Sequence, residues 1–263
     1  MNKIIIVTGG AAGIGRCIVE YFAVEGDHVY FIDNNRKATI ALVERMRQQG
    51  YTVTGFVGDV AEKQVLEHFV QMILDEQPQG IHCLINNACL MHGGILGGCD
   101  YEDFLYIQRI GVAAPYLLAK LFKNHFHGMG SIVNISSTRA FQSQPNTESY
   151  TAAKGGITAL THALSISLAG IARVNSVAPG WIDAGSYHGD GSYIPNYCES
   201  DTTQHPSGRV GEPIDIARVV AFLCDERNSF INGENITVDG GMSRLMIYHN
   251  DCGWLYKPTK EIL

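Results

Sequence analysis

The sequence has few charged residues and no excess of basic ones. Of its 263 residues, 17% are charged, and the formal net charge is -7. The lack of a basic surplus argues against binding to nucleic acid or to an anionic membrane surface. No apolar run reaches the length of a membrane span, and the opening run at residues 4–7 is too short for the core of a signal peptide. We therefore expect a small-molecule partner.

The cysteines do not form the pattern of a disulfide scaffold or of a metal site. There are seven, an odd number, scattered along the chain without a Cys-x-x-Cys pair. Such a set indicates free thiols in a reducing compartment, and we expect a cytoplasmic protein. The histidines, His125 and His127 included, have no cysteine or carboxylate at ligand spacing, so no metal site is predicted.

Short apolar runs alternate with helical patterns from the first residues onward. Strands are predicted at residues 4–7, 28–32, 52–57, 82–85 and 235–238, and helices at 16–24, 37–49, 150–169 and 213–224. This order predicts an α/β protein with a doubly wound parallel sheet between two layers of helices, the Rossmann fold. Length and hydrophobic content fit a single domain over residues 1–263.

A glycine-rich turn separates the first strand from the first helix. Gly9, Gly13 and Gly15 would let the backbone approach a pyrophosphate, whose charge is favoured by the helix N-terminus behind them. The spacing is Gly-x3-Gly-x-Gly, which alone also fits an ordinary tight turn. Its position after the first strand favours dinucleotide binding.

Asp33 ends the second strand, about twenty residues beyond that turn, where a carboxylate would accept hydrogen bonds from the adenosine ribose. The same charge would repel a 2′-phosphate, and Ala11 and Ala12 offer no basic side chain to offset it. Arg36 is the nearest cation downstream. The sequence thus predicts NAD as cofactor, with NADP the less favoured alternative.

Tyr150 and Lys154 are four residues apart, which on a helix places both on one face. Free tyrosine is a poor base at neutral pH because its pKa is about 10. A cation about 4 Å away favours the phenolate, and Lys154 would supply one. The spacing alone is common by chance, so the pair could also be structural.

Taken together, the motifs resemble the short-chain dehydrogenase/reductase family over nearly the whole chain. They are the turn at residues 8–15, Asp59-Val60, Asn86-Asn87-Ala88, Ser137, Tyr150-x-x-x-Lys154, the stretch at 173–180, and Val238-Asp239-Gly240-Gly241. The resemblance implies hydride transfer between nicotinamide and a secondary alcohol or ketone, with Ser137, Tyr150 and Lys154 catalytic. It implies cofactor binding by Gly9, Ala12, Gly13, Ile14, Gly15, Asp33, Asp59, Val60, Asn87, Ala88, Tyr150, Lys154, Pro179, Gly180 and Ile182.

Three positions depart from the family pattern. Gly111 stands where the family usually has a catalytic asparagine, Cys89 replaces a glycine, and Ala184 replaces a threonine that commonly contacts the nicotinamide. Glycine permits a helix kink but has no side chain to hold one. An alternative function is therefore a dinucleotide-binding regulatory or structural protein with impaired catalysis.

The remaining expectations concern the surface. Residues 185–208 are polar, lack a clear period and match the family's substrate lid. The helix at 150–169 is rich in small residues and should be buried all round; in the family it packs against its twin, which implies a homodimer or homotetramer. The tail at 244–263, with Tyr248, Trp254 and Tyr256, would dock on its own subunit or on a neighbour.

Overall fold

A seven-stranded parallel sheet forms the centre of the computed structural model, which describes residues 2–189 and 192–248. The strand order is β3-β2-β1-β4-β5-β6-β7. The strands are β1 Ile4–Thr8, β2 His28–Asp33, β3 Val53–Val57, β4 Ile81–Asn86, β5 Phe126–Ile135, β6 Ala172–Pro179 and β7 Asn235–Val238.

Helices cover both faces of the sheet. They are α1 Gly13–Val24, α2 Arg36–Gln48, α3 Lys63–Glu76, α4 Tyr101–Gln108, α5 Ala114–Phe122, α6 Glu148–Ser167, α7 Glu199–Thr203 and α8 Pro213–Cys224. Side chains of β1 alternate between the two cores: Ile5 and Val7 pack with α1 and α8, while Ile6 packs with α3 and α5. The predicted doubly wound α/β fold is confirmed.

The strand order reverses beside β1, which lies between β2 and β4. In such sheets the crevice at the carboxyl ends of these strands is where ligands bind. The glycine turn follows β1, Asp33 ends β2, and Asn86 ends β4. The topology therefore brings together three motifs that are far apart in sequence.

The helix boundaries differ from the predicted ones by a few residues. Within the chain, helix α6 exposes Ala152, Ala159, Ala163 and Ile166, the last with 78% of its surface accessible. All-round burial of this helix stays a prediction, because the face that the chain leaves open is the one that would pack against its twin.

A π-helical segment, Arg109–Ala113, joins α4 to α5 and contains Gly111. Such a segment widens one helical turn, and π-bulges are frequent at functional sites. The kink expected at Gly111 thus takes this particular form, in the helix that faces α6.

No helix in the described part of the chain is long and apolar enough to cross a membrane. The six cysteines at described positions, 17, 83, 89, 99, 198 and 224, are unpaired. Of the tail aromatics, Trp254 and Tyr256 lie outside the described residues, and Tyr248 is exposed.

Candidate functional site

The glycine turn is shaped by close backbone contacts. Gly13 has φ +57°, and a Cβ added at Gly15 would lie 2.0 Å from the carbonyl oxygen of Gly9. Only glycine fits at position 15, because a contact this short with backbone cannot be relieved by a side-chain rotation. The turn thus presents bare backbone and the N-terminus of α1 to the crevice.

Asn87 holds this turn against the end of β4. Its side-chain amide donates to the carbonyl oxygens of Thr8 and Gly9, both at 3.0 Å. The Thr8 hydroxyl in return accepts the backbone N–H groups of Asn87 and Ala88, each at 3.0 Å. The Asn87 amide thus pins the backbone of the glycine turn to the end of β4.

Asp33 is oriented by two backbone donors. Its Oδ2 accepts the N–H of Ala11 at 3.0 Å, and its Oδ1 accepts the N–H of Asn35 at 2.9 Å. These bonds link the second strand to the glycine turn and fix the carboxylate at the rim of the crevice. Arg36, at the start of α2, is exposed and does not line the crevice.

A cleft of about 410 Å³ lies over these residues. Nine of the predicted cofactor residues line it, namely Gly9, Ala12, Gly13, Ile14, Asp33, Asp59, Val60, Asn87 and Ala88. Gly15 lies beneath the turn rather than on the cleft surface. The Tyr106 hydroxyl donates to Asp59 at 2.6 Å, and this bond raises the pKa of Tyr106 to about 12.

Ser137, Tyr150 and Lys154 share one wall of a larger neighbouring cavity of about 1310 Å³. Ser137 follows β5, and the other two lie one turn apart on α6. Lys154 is only 3% exposed; its Nζ donates to the Ile135 carbonyl at 2.7 Å and lies 5.3 Å from the centroid of the Tyr150 ring. The structure thus brings the three predicted catalytic residues together. Pro179, Gly180 and Ile182 also line this cavity.

Helix α6 approaches Gly111 closely. A Cβ at Gly111 would lie 2.8 Å from the Cβ of Ala153, the residue next to Lys154. Neither atom belongs to a flexible side chain, so any larger residue at 111 would push the two helices apart. Gly111 is therefore required by the packing behind Lys154, which is a reason for this departure from the family pattern that sequence alone did not reveal.

Cys89 and Ala184, the two other positions that depart from the family pattern, lie on the walls of these two spaces. Cys89 is exposed and lines both the cleft and the larger cavity, and Ala184 lines the cleft. His188, which was not among the predicted site residues, lines both spaces and reaches over the turn: its Nε2 would be 3.5 Å from a Cβ at Gly13. His188 stands alone in a loop without periodicity, so nothing in the sequence indicates that its side chain lies over the glycine turn.

The predicted lid contains short helical pieces, Gly185–Tyr187 and α7, as its lack of period indicated. Asp183, just before it, accepts hydrogen bonds from the hydroxyls of Tyr193 and Tyr197 and from the Gly185 N–H. Partial burial raises the pKa of this carboxyl, but the hydrogen bonds outweigh burial and hold the pKa below its usual value. Burial and the bond to Asp183 raise the pKa of Tyr197.

Within the described residues no group of three or more histidine, cysteine or carboxylate side chains is arranged to hold a metal ion. Arg139 and Trp181, which sequence reasoning did not single out, also line the larger cavity. Arg139 stands two residues after Ser137, and that proximity to a predicted catalytic residue was the signal that could have found it.

Comparison with known proteins gives a consistent picture. A family model described as enoyl-(acyl carrier protein) reductase matches residues 9–243. An uncharacterized oxidoreductase of Thermotoga maritima is 39% identical over 252 residues, which is 94% of this chain and 98% of the relative. The 3-oxoacyl-(acyl-carrier-protein) reductase FabG of Chlamydia trachomatis is 31% identical, with 92% of this chain and 98% of the relative covered. An apo SCOR enzyme from Clostridium thermocellum is 44% identical, with a TM-score of 0.87 over 98% of this chain and all of that one.

Proposed function

The chain belongs to the short-chain dehydrogenase/reductase family of oxidoreductases that use a nicotinamide cofactor, and from this premise we propose that it interconverts a secondary alcohol and a ketone with NAD. One observation carries the proposal. Ser137, Tyr150 and Lys154 line a single cavity that adjoins the glycine turn at the carboxyl ends of the strands.

The residues of the crevice fit a dinucleotide. The backbone of the glycine turn, where a Cβ at Gly15 would collide with Gly9, leaves room for a pyrophosphate against the N-terminus of α1. Asp33 would accept the adenosine ribose hydroxyls, and the cleft lined by Asp59 and Val60 would take the adenine. A bound nicotinamide supplies the hydride acceptor or donor, and the protein orients it.

The protein's own residues manage the proton and the substrate oxygen. Ser137 would donate a hydrogen bond to that oxygen. Tyr150 would accept the alcohol proton as a phenolate when the alcohol is oxidised, and as a phenol it would donate a proton when the ketone is reduced. Lys154, buried beside the Tyr150 ring, stabilises the phenolate with its charge and also binds the nicotinamide ribose.

NAD is proposed over NADP on the position of Asp33. The carboxylate is fixed at the cleft by two backbone N–H groups and cannot swing away to admit a 2′-phosphate without losing both. Arg36, the cation nearest in sequence, does not line the cleft. A carboxylate in this place would repel a 2′-phosphate, which supports the proposal of NAD.

We further propose a homodimer or homotetramer in the cytoplasm. Helix α6 leaves a small-residue face open, formed by Ala152, Ala159, Ala163 and Ile166. Burying this face against its twin would remove apolar surface from water and allow the two backbones to approach closely. A monomeric mass in light scattering would contradict the proposal.

The alternative is a regulatory or structural dinucleotide-binding protein with impaired catalysis. Gly111 motivated that alternative, but its contact with Ala153 gives the glycine a packing role that is compatible with turnover. Retention of all three catalytic side chains in one cavity favours the enzyme.

The test is NAD-linked turnover over a panel of secondary alcohols, polyols, sugars and steroids, with Tyr150→Phe as the matched variant. We expect Tyr150→Phe to lower kcat by about 10²- to 10⁴-fold, since a general acid-base group is lost, and to leave the NAD affinity from fluorescence titration within about twofold. Equal turnover in the variant would refute the assignment of Tyr150. If the wild type bound NAD but turned over no compound of the panel, the regulatory or structural alternative would be favoured.

A further inference from the structure

Arg139 lies on the wall that carries the proposed catalytic residues. It belongs to the short helical turn Thr138–Ala140 that follows β5 and Ser137. Its backbone N–H donates to the Ser137 hydroxyl at 3.1 Å, and its guanidinium carbon lies 6.0 Å from the centroid of the Tyr150 ring. The guanidinium and the two side chains that would hold the substrate oxygen therefore face the same space.

The guanidinium has only neutral partners within the described residues. Nη1 contacts the thioether sulfur of Met91 at 3.4 Å, and Nη2 donates to the side-chain oxygen of Gln144. No carboxylate of the described chain forms an ion pair with it. Arginine is always charged, and a thioether is a weak hydrogen-bond acceptor. The Arg139 guanidinium can therefore still bind an anion.

The cavity around Arg139 has a positive electrostatic balance. Its described lining contains two cations, Arg139 and Lys154, and no aspartate or glutamate. The other polar side chains there include hydroxyls and amides, among them Gln142, Ser143 and Gln204, and the imidazole of His188. A cavity lined by cations and free of acidic side chains attracts anions and raises their local concentration.

Resting on the oxidoreductase function proposed above, we propose that the substrate is a hydroxy acid or oxo acid whose carboxylate is bound by Arg139. The planar guanidinium donates two parallel N–H bonds to a carboxylate, which replaces the contact with the Met91 sulfur by a charge-assisted pair. Arg139 and Ser137 lie in one hydrogen-bonded turn, so we expect the preference for the acid to depend on the number of bonds between its carboxylate and the reacting carbon.

A competing role for Arg139 is to act on Tyr150 alone, through its position over the ring. A cation near the phenol would change the rate for every substrate by a similar factor. Carboxylate binding instead changes the ratio between an acid and its neutral counterpart. That ratio is the quantity to measure.

The experiment compares matched pairs: 2-, 3- and 4-hydroxy acids and their methyl esters, assayed with NAD as kcat/KM. For the acid of fitting length we expect the wild type to favour the acid over the ester by about 10- to 100-fold, the usual worth of a hydrogen-bonded charge pair. Arg139→Gln should bring that ratio close to one, and Arg139→Lys should leave it in between because it keeps the charge without the fork. Wild-type ratios near one for all lengths would overturn the proposal.

A binding measurement separates this inference from the proposed function. Trp181 lines the cavity, so its fluorescence can report titration with oxalate, malonate and succinate in the absence of turnover. Binding that weakens at least about tenfold in Arg139→Gln supports the carboxylate site even if no alcohol is oxidised. Turnover of neutral alcohols without any effect of Arg139 on acid preference or on titration would overturn the inference and leave the oxidoreductase standing. A higher kcat/KM for an alcohol that carries a phosphate ester than for every hydroxy acid would overturn the proposal that Arg139 binds a carboxylate.

Discussion

The two halves of the site are held together in different ways. Around the glycine turn, most bonds involve backbone: Asn87 donates to two carbonyls of the turn, and Asp33 accepts two N–H groups. In the segment from Asp183 to Tyr197, two tyrosine hydroxyls converge on one carboxylate. Backbone bonds demand particular residues at particular spacings, whereas side-chain bonds between distant positions leave no local pattern. We call the glycine turn with Asp33 and Asn87 the rigid half of the site. We call Asp183 with Tyr193 and Tyr197 the replaceable half.

Gly15→Ala should have the largest effect, because the added Cβ would lie 2.0 Å from the Gly9 carbonyl oxygen and 2.5 Å from the Asn87 amide. We expect a loss of about 3 kcal/mol in the free energy of unfolding, which corresponds to a drop of roughly 10 °C in Tm. NAD binding should fall with it. Urea unfolding and fluorescence titration measure the two effects.

Gly97→Ala is the matched control, since a Cβ there meets nothing within 4 Å and its φ is not positive. Its stability should stay within about 0.5 kcal/mol of the wild type. If Gly15→Ala were equally harmless, the rigidity ascribed to the turn would be wrong.

The close contact between Gly111 and Ala153 lies behind Lys154, and its rigidity can be tested in the same way as that of the glycine turn. Gly111→Asn introduces the family's usual residue but also a Cβ that would lie 2.8 Å from that of Ala153, so we expect a loss of about 2 kcal/mol in unfolding free energy. Ala153→Gly in the same chain should recover about 1 kcal/mol of it. Chemical denaturation of the two single variants and the double variant gives this coupling.

If the effects of the two substitutions on the free energy of unfolding were additive, the helices would adjust freely where Gly111 meets Ala153. If Gly111→Asn were stable and had a higher kcat, the missing amide side chain would be what limits turnover. Either result would show that the contact between Gly111 and Ala153 is not rigid, in contrast to the glycine turn.

Most of what the sequence predicted belongs to the rigid half. The doubly wound parallel sheet followed from alternating apolar runs, and the glycine turn, Asp33 and Asn87 were found because their spacing along the chain is imposed by the backbone they contact. Arg139, Trp181 and His188 were missed because their roles arise only when loops from different strands meet over one cavity. Sequence did not show which face of α6 the chain leaves open for a related reason: the composition of the helix is the same whether the chain or a partner covers that face.

Asp33→Asn tests whether the rigid half also sets cofactor choice. Removing one negative charge from a partly exposed cleft should raise the ratio of NADP to NAD affinity by about tenfold. The ratio is the right measure, because the new amide also disturbs the bonds to Ala11 and Asn35 and so weakens both cofactors. Asp75→Asn on α3, remote from the cleft, should leave the ratio unchanged. A constant ratio in Asp33→Asn would mean that another group excludes the 2′-phosphate.

The smallest effect should come from Tyr197→Phe in the replaceable half. The change removes one hydroxyl from Asp183 but leaves the bonds from Tyr193 and the Gly185 N–H. Local opening of residues 183–189 and 192–198 should become easier by about 1 kcal/mol, seen as roughly fivefold faster amide hydrogen exchange there, with global stability unchanged. Tyr116→Phe, on exposed α5, is the control and should leave this exchange as it is. A fall in global stability as large as that of Gly15→Ala would contradict the comparison, since it would show that the Asp183 bonds support the whole fold rather than this segment alone.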